Sequence, residues 1–188
     1  MALLDSSWTK LALIFPGQGS QSVGMGTRLS KVSSQARNVF KRADEVLERH
    51  ISRLCYTGSE KELQRTINQQ PATFVTSIAW LEAVRERWST LDKKLTSVAI
   101  AGHSMGEFTA AVATGAIPFE EGLILVQERA RLMDEAGREN PGGMASIIGL
   151  QEEKILEICS HSSDTGYVGI ATQNCEGHTV ISGDFPSL

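Results

Sequence analysis

Cysteine is scarce in this sequence. Cys55, Cys159 and Cys175 are the only three among 188 residues, and they lie far apart without C-x-x-C spacing. An odd count so dispersed argues against a disulfide framework and a zinc site. The three read as reduced, partly buried thiols, because free cysteine packs as a small hydrophobe. Histidine is almost as rare, and His50, His103, His161 and His178 show no metal-ligand spacing. Charge is not concentrated in either sign: 22 acidic and 18 basic residues are interspersed for a net charge of -4. With no basic block, neither nucleic acid nor a membrane surface is an expected partner. No apolar run approaches the roughly 20 residues of a membrane span. The N-terminal segment, Met1 to Lys10, has no charged start followed by an apolar core. It does not read as a signal peptide, and a cytoplasmic location is expected. Repeats, low-complexity stretches and long linkers are also missing.

What is present is an ordinary globular composition, 41% hydrophobic and 21% charged. That suffices for one sizeable core and a second small lobe. Lys10 to Phe15 is a short apolar run stopped by Pro16-Gly17, which predicts a buried strand and a loop. Ser34 to Leu47 predicts a helix. Ser59 and Glu62 form an S-x-x-E capping box. Pro71 is expected in the first turn of the next helix, where Phe74, Ile78 and Leu81 face the core. Thr96 to Ala101 predicts a second buried strand, and Glu107 to Thr114 a small-residue helix that Gly115 caps. A further helix starts near Phe119, with Phe119, Leu123, Val126, Ala130 and Met133 along one stripe. Strands alternating with helices imply an α/β sheet, mostly parallel.

The composition changes after Asn140. Met144 to Leu150, Glu152 to Ser160, Val168 to Thr172 and Thr179 to Ser182 read as β-α-β-β, the last two strands joined by a turn at Glu176-Gly177. A ferredoxin-like unit is β-α-β-β-α-β, so its last α-β is lacking and the unit reads as incomplete.

Gly102-x-Ser104-x-Gly106 stands between a predicted strand and a predicted helix, the setting of a nucleophile elbow. The turn is so sharp that the flanking positions must be glycine. It lifts the hydroxyl to a helix N-terminus, where backbone N–H groups stabilise an oxyanion. The alternative is a plain strand-helix turn with Ser104 capping the helix. A serine nucleophile needs a base. Neighbouring side chains in a tight turn diverge, so His103 is expected to support the site and not to serve as the base. His50, His161 and His178 offer no convincing partner either. The loop Phe15-Pro16-Gly17-Gln18-Gly19-Ser20-Gln21 fails as a phosphate loop, lacking a Gly-Lys-Ser/Thr continuation. It fails as a dinucleotide fingerprint because Ser22 replaces the third glycine. It remains either a supplier of an oxyanion-hole donor or a plain turn. Arg129 borders the apolar stripe. There it either meets an anion, which its fork would grip in bidentate fashion, or sits in a structural ion pair.

Together these segments resemble the malonyl-CoA:acyl carrier protein transacylase family. The resemblance rests on Leu13 to Gln21, on Gln69-Gln70-Pro71-Ala72, and on Gly102 to Glu107, with Met105 where leucine is commoner. It rests also on Val126 to Met133, with Ala130 where glycine is commoner, and on Asn174 to Gly177 with Val180 to Gly183, where Cys175-Glu176 replaces serine-proline. It implies an α/β-hydrolase-like large lobe with a parallel sheet over 1–139 and a partial ferredoxin-like small lobe over 140–188. It implies Ser104 as nucleophile, the amides of Met105 and Gln18 as oxyanion hole, and Arg129 as holder of the malonyl carboxylate. Gln70, His103 and Asn174 would line or flank the substrate site. Malonyl-CoA and an acyl carrier protein would be the partners, in fatty acid or polyketide synthesis, with no metal or redox cofactor. In the family the general-base histidine follows the small lobe, and no such region lies within these 188 residues. The sequence therefore predicts poor activity for the chain alone. The rival readings are a polyketide synthase acyltransferase domain, a serine esterase and an inactive remnant.

Overall fold

The computed structural model describes residues 10–162 and 166–188. The N-terminal segment read above for a signal sequence therefore lies, but for Lys10, outside the described residues. The chain forms two compact units, 1–133 and 134–188.

The first unit begins with β1 (Ala12–Phe15), followed by α1 (Thr27–Val32), α2 (Ser34–Leu47), α3 (Ile51–Thr57), α4 (Glu60–Leu63) and α5 (Thr66–Ser89). Then come β2 (Ala99–Gly102), α6 (Gly106–Thr114) and α7 (Phe119–Glu139), which runs on into the second unit. Helix α2 has the predicted bounds because Ser33 caps it, accepting from the Ala36 amide at 3.0 Å. β1 and β2 pair in parallel, Ala12 with Ala99 through Phe15 with Gly102. Both strands were expected to be buried, yet Ile14 is 78% and Val98 67% exposed. A parallel sheet is buried only where elements cover both faces, and this sheet has just two strands among the described residues.

α5 is the axis of the core. A helix of 24 residues is about 36 Å long. Its middle, Asn68 to Leu81, is buried almost all round, as a helix enclosed by others must be. Phe74, Ile78 and Leu81 face inward as expected. Phe74 stacks on Phe119 with ring centroids 5.8 Å apart, and Val39, Phe40, Leu63, Met105, Leu123 and Val126 close around them. Two expectations fail here. Pro71 lies inside α5, not in its first turn. Met133 ends the α7 stripe half-exposed while Phe119, Leu123, Val126 and Ala130 are buried. The capping box is half formed: Ser59 Oγ accepts from the Glu62 amide at 3.2 Å, but the Glu62 carboxylate turns to Arg65.

The second unit contains β3 (Gly142–Ile148), α8 (Glu152–Ser162), β4 (Val168–Cys175) and β5 (His178–Asp184). The predicted β-α-β-β order holds. The strands lie in the order β3-β5-β4, and β5 is antiparallel to both neighbours. β3 and β4 thus run parallel, with the later strand between them, which is the split β-α-β arrangement. Ile155 and Cys159 of α8 bury against Val168 and Ile181.

Candidate active site

The turn between β2 and α6 sets the first part of the site. A Cβ on Gly102 would come within 2.0 Å of the Gly106 carbonyl, and one on Gly106 within 2.4 Å of the Phe15 carbonyl oxygen. Both obstacles are backbone, so the elbow closes only with glycine at these two positions. The turn is pinned by His103 N–H donating to the Phe15 carbonyl at 3.1 Å and Gly106 N–H donating to the His103 carbonyl at 2.8 Å. Ser104 at the apex has φ 54°, a conformation that costs a non-glycine residue about 1–3 kcal/mol and persists where the surroundings dictate it. Met105 anchors the elbow from below, its side chain fully buried in the core.

The hydroxyl is exposed and does not cap the helix, since α6 starts without a side-chain cap bond. Its Oγ accepts a hydrogen bond from Arg129 Nη2 at 2.9 Å. Arg129 Nη1 donates in turn to Gln70 Oε1. The Gln70 side chain is completely buried, and its Nε2 lies 3.2 Å from the Met133 sulfur and 3.4 Å from Gln18 Oε1. Thus Ser104, Arg129, Gln70 and Gln18, drawn from four separate segments, form one connected group. The ion-pair alternative for Arg129 is corrected: it contacts no carboxylate among the described residues, while Arg131, two positions on, pairs with Glu128 at 2.8 Å. The amides of Gln18 and Met105 donate no hydrogen bond among the described residues.

None of the four histidines bonds to Ser104. The His103 ring leans over the Pro16-Gly17 loop, its Nδ1 only 2.8 Å from where a Gly17 Cβ would be. His50 faces Asp44, and His161 Nδ1 lies 2.7 Å from the carbonyl of Glu157 in its own helix. His178, in the second unit, lies 2.9 Å from Ser146 Oγ and 3.4 Å from Asn174 Nδ2. Asn174 is exposed on β4. No group of three or more His, Cys, Asp or Glu among the described residues is placed to hold a metal ion. Cys55 is no competing nucleophile: burial pushes its thiol up to about 12, so the thiolate is not populated near neutrality.

Sequence reasoning missed Arg49. Its Nη1 donates to Asn68 Oδ1 at 2.5 Å, and its Nη2 to the Ile67 carbonyl at 3.1 Å and to Gln127 Oε1 at 2.7 Å. Proline has no N–H, so Pro71 leaves the carbonyl four residues back, that of Ile67, without its helical donor. Arg49 supplies the replacement. A proline read inside α5 would have been the signal that such a donor exists.

The family model described as "Acyl transferase domain" matches residues 12–187. A malonyl CoA-acyl carrier protein transacylase of Bacillus subtilis is 41% identical over 176 residues, covering 93% of this chain and 54% of the relative. An acyl-carrier-protein S-malonyltransferase structure from Burkholderia pseudomallei superposes with a TM-score of 0.82 at 37% identity, over 95% of this chain and 56% of that one. A malonyl-transacylase in complex with its type II polyketide acyl-carrier protein gives a TM-score of 0.83 at 35% identity, over 95% and 56%. The chain thus spans about half the length of the relatives it matches.

Proposed function

Because this chain belongs to the acyl transferase domain family, we propose that it moves a malonyl group from malonyl-CoA to the phosphopantetheine thiol of an acyl carrier protein, through an ester on Ser104. The observation that carries the reading is the 2.9 Å hydrogen bond from Arg129 to Ser104 Oγ. A permanent cation beside the nucleophile, with no carboxylate partner among the described residues, favours an acyl group that itself ends in a carboxylate. The short reach from guanidinium to hydroxyl leaves room for only a small spacer, as in a malonyl group. The relatives' names agree: the Bacillus subtilis protein is a malonyl CoA-acyl carrier protein transacylase, and a structural neighbour is bound to its acyl-carrier protein.

In the first half-reaction Ser104 Oγ bonds to the thioester carbon and the carbonyl electrons move onto its oxygen. The Met105 and Gln18 amides receive that oxyanion, each such donor being worth about 10²–10³ in rate. Arg129 leaves the hydroxyl and takes the malonyl carboxylate. Gln70 keeps the guanidinium in place, and His103 flanks the loop. The carbon–sulfur bond then breaks, and coenzyme A departs as a thiol with the serine proton. In the second half the carrier thiol attacks the ester and Ser104 regains a proton. No metal or redox cofactor enters. Among the described residues the side-chain partner of Ser104 Oγ is the Arg129 guanidinium, a donor that cannot take the serine proton, so slow acylation is expected for this chain on its own, by several orders of magnitude against a serine with its base. Cys55, Cys159 and Cys175 form no disulfide, which fits a reducing compartment such as the cytoplasm.

The test is intact-protein mass spectrometry after incubation with malonyl-CoA and, separately, acetyl-CoA. A malonyl adduct is expected on the native chain, absent from Ser104→Ala, and lost from Arg129→Ala with the trace of acetyl adduct retained. An adduct that survives Ser104→Ala, or equal loading of both thioesters that Arg129→Ala leaves unchanged, rejects the reading in favour of an unselective esterase.

A further inference from the structure

Gln70 and Arg129 meet although they project from different helices, α5 and α7. Their hydrogen bond depends on the height of one helix against the other. A single side chain spans the same two helices one step away. Arg49 grips Asn68 and the Ile67 carbonyl on α5 and Gln127 on α7. Asn68 is two residues before Gln70, and Gln127 two residues before Arg129. The clamp is itself fixed. The Arg49 amide donates to the Asp44 carbonyl at 3.2 Å at the end of α2, and Asn68 Nδ2 donates to the Glu62 carbonyl at 2.8 Å.

The partners are all neutral oxygens, and Arg49 has no carboxylate among the described residues. Half-buried, its guanidinium loses hydration, and that burial lowers its pKa from the ordinary arginine value. A cation held by three neutral acceptors is held by geometry, and the planar guanidinium fork presents rigid donors to both helices at once.

We propose that Arg49 is a positioning residue: it sets the register of α5 against α7 so that Gln70 can aim the Arg129 guanidinium at Ser104. It touches neither substrate nor serine and acts through Gln70 and Arg129. The proposal rests on the malonyl reading above, because its effect is seen as malonyl selectivity. Pro71 is part of the same device. By removing its own N–H it frees the Ile67 carbonyl for Arg49, so the irregularity in α5 becomes the attachment point of the clamp.

The experiment measures dissociation constants of malonyl-CoA and acetyl-CoA by calorimetry on the native chain and on Gln127→Ala, Arg49→Lys and Arg49→Met. Circular dichroism checks that each variant is folded. Gln127→Ala removes the α7 arm alone and leaves the α5 contacts intact, so it covers the case in which an Arg49 variant does not fold. The expected result is a loss of malonyl preference of about tenfold, the scale of one misaligned hydrogen bond to a charged group, with acetyl-CoA affinity unchanged. Arg49→Lys should not restore the preference, since a lysine keeps the charge but not the fork. Folded Gln127→Ala with the native preference, or full rescue by Arg49→Lys, overturns the positioning role while leaving the malonyl reading intact. A native chain that binds the two thioesters equally removes the malonyl reading itself, and the positioning role with it.

Discussion

At the scale of single residues, the elbow is held by what is missing. Ser104 adopts φ 54° in a turn that has no space for anything larger than hydrogen at Gly102. The intended neighbour of a new methyl group is the Gly106 peptide, 2.0 Å away, and a peptide inside a pinned turn cannot move aside as a flexible side chain would. Gly102→Ala should therefore cost more than the roughly 1–3 kcal/mol of ordinary overpacking. Urea denaturation followed by circular dichroism would record it, and a change below about 1 kcal/mol would mean that the elbow is looser than this geometry. The two glycines and the serine were legible in the sequence because a sharp strand-helix turn dictates its own composition. The choice of Arg129's partner was not. Gln70 lies 59 positions away, and nothing in the local pattern of either helix distinguishes an arginine that awaits an anion from one already paired.

Elements raise a different question, namely what starts and stops them. Ser33 ends the gap between α1 and α2, and its role as cap of α2 is shared with a residue far along the chain. Glu86 of α5 accepts from Ser33 Oγ at 2.5 Å, from the Ser34 amide at 3.2 Å and from Ser34 Oγ. A carboxylate at a helix N-terminus is favoured by the orphan amides there. The Ser33 and Ser34 hydroxyls hold the Glu86 carboxyl below its ordinary value. A folded pKa below the unfolded one means that the stabilisation is complete above the unfolded value, near 4.3, and is lost as the pH falls through the lowered folded value. Urea unfolding of the native chain and of Glu86→Gln should differ at neutral pH, and the gap should close as the solution is acidified below about 4. A gap that stays constant with pH would show that the serines support the side chain and not its charge. The α2 bounds were readable because periodicity and a serine cap agree. The α5 start was misread because Pro71 carries a strong local expectation, the first turn. Here a donor from another element satisfies the freed carbonyl, and the helix runs through. Local rules describe a proline's own turn and are blind to what waits across the core.

For the molecule as a whole, the reading of strands shows where sequence pattern stops. Apolar runs at Lys10–Phe15 and Thr96–Ala101 suggest burial, but burial needs neighbours as well as composition. β1 and β2 make a two-stranded parallel sheet, fewer strands than independent sheets need for stability. Beside it lies a groove of about 330 Å³ lined by Ile14, Phe15, Pro16, Trp80, Leu81 and Val84 among others, with Trp80 itself 55% exposed. The lining is mainly apolar, and the groove lies in a chain that spans about half of its relatives' length. The groove predicts binding of an environment-sensitive apolar dye to the native chain. Ile14→Lys, at a position 78% exposed, should change stability by no more than about 0.5 kcal/mol, because the side chain already faces solvent. It should nevertheless remove most of the dye signal by placing a charge at the mouth of the groove. Dye binding that Ile14→Lys leaves untouched, in protein with the native denaturation midpoint, would place the accessible apolar surface elsewhere, and the open face of β1 would then be better packed than its exposure indicates.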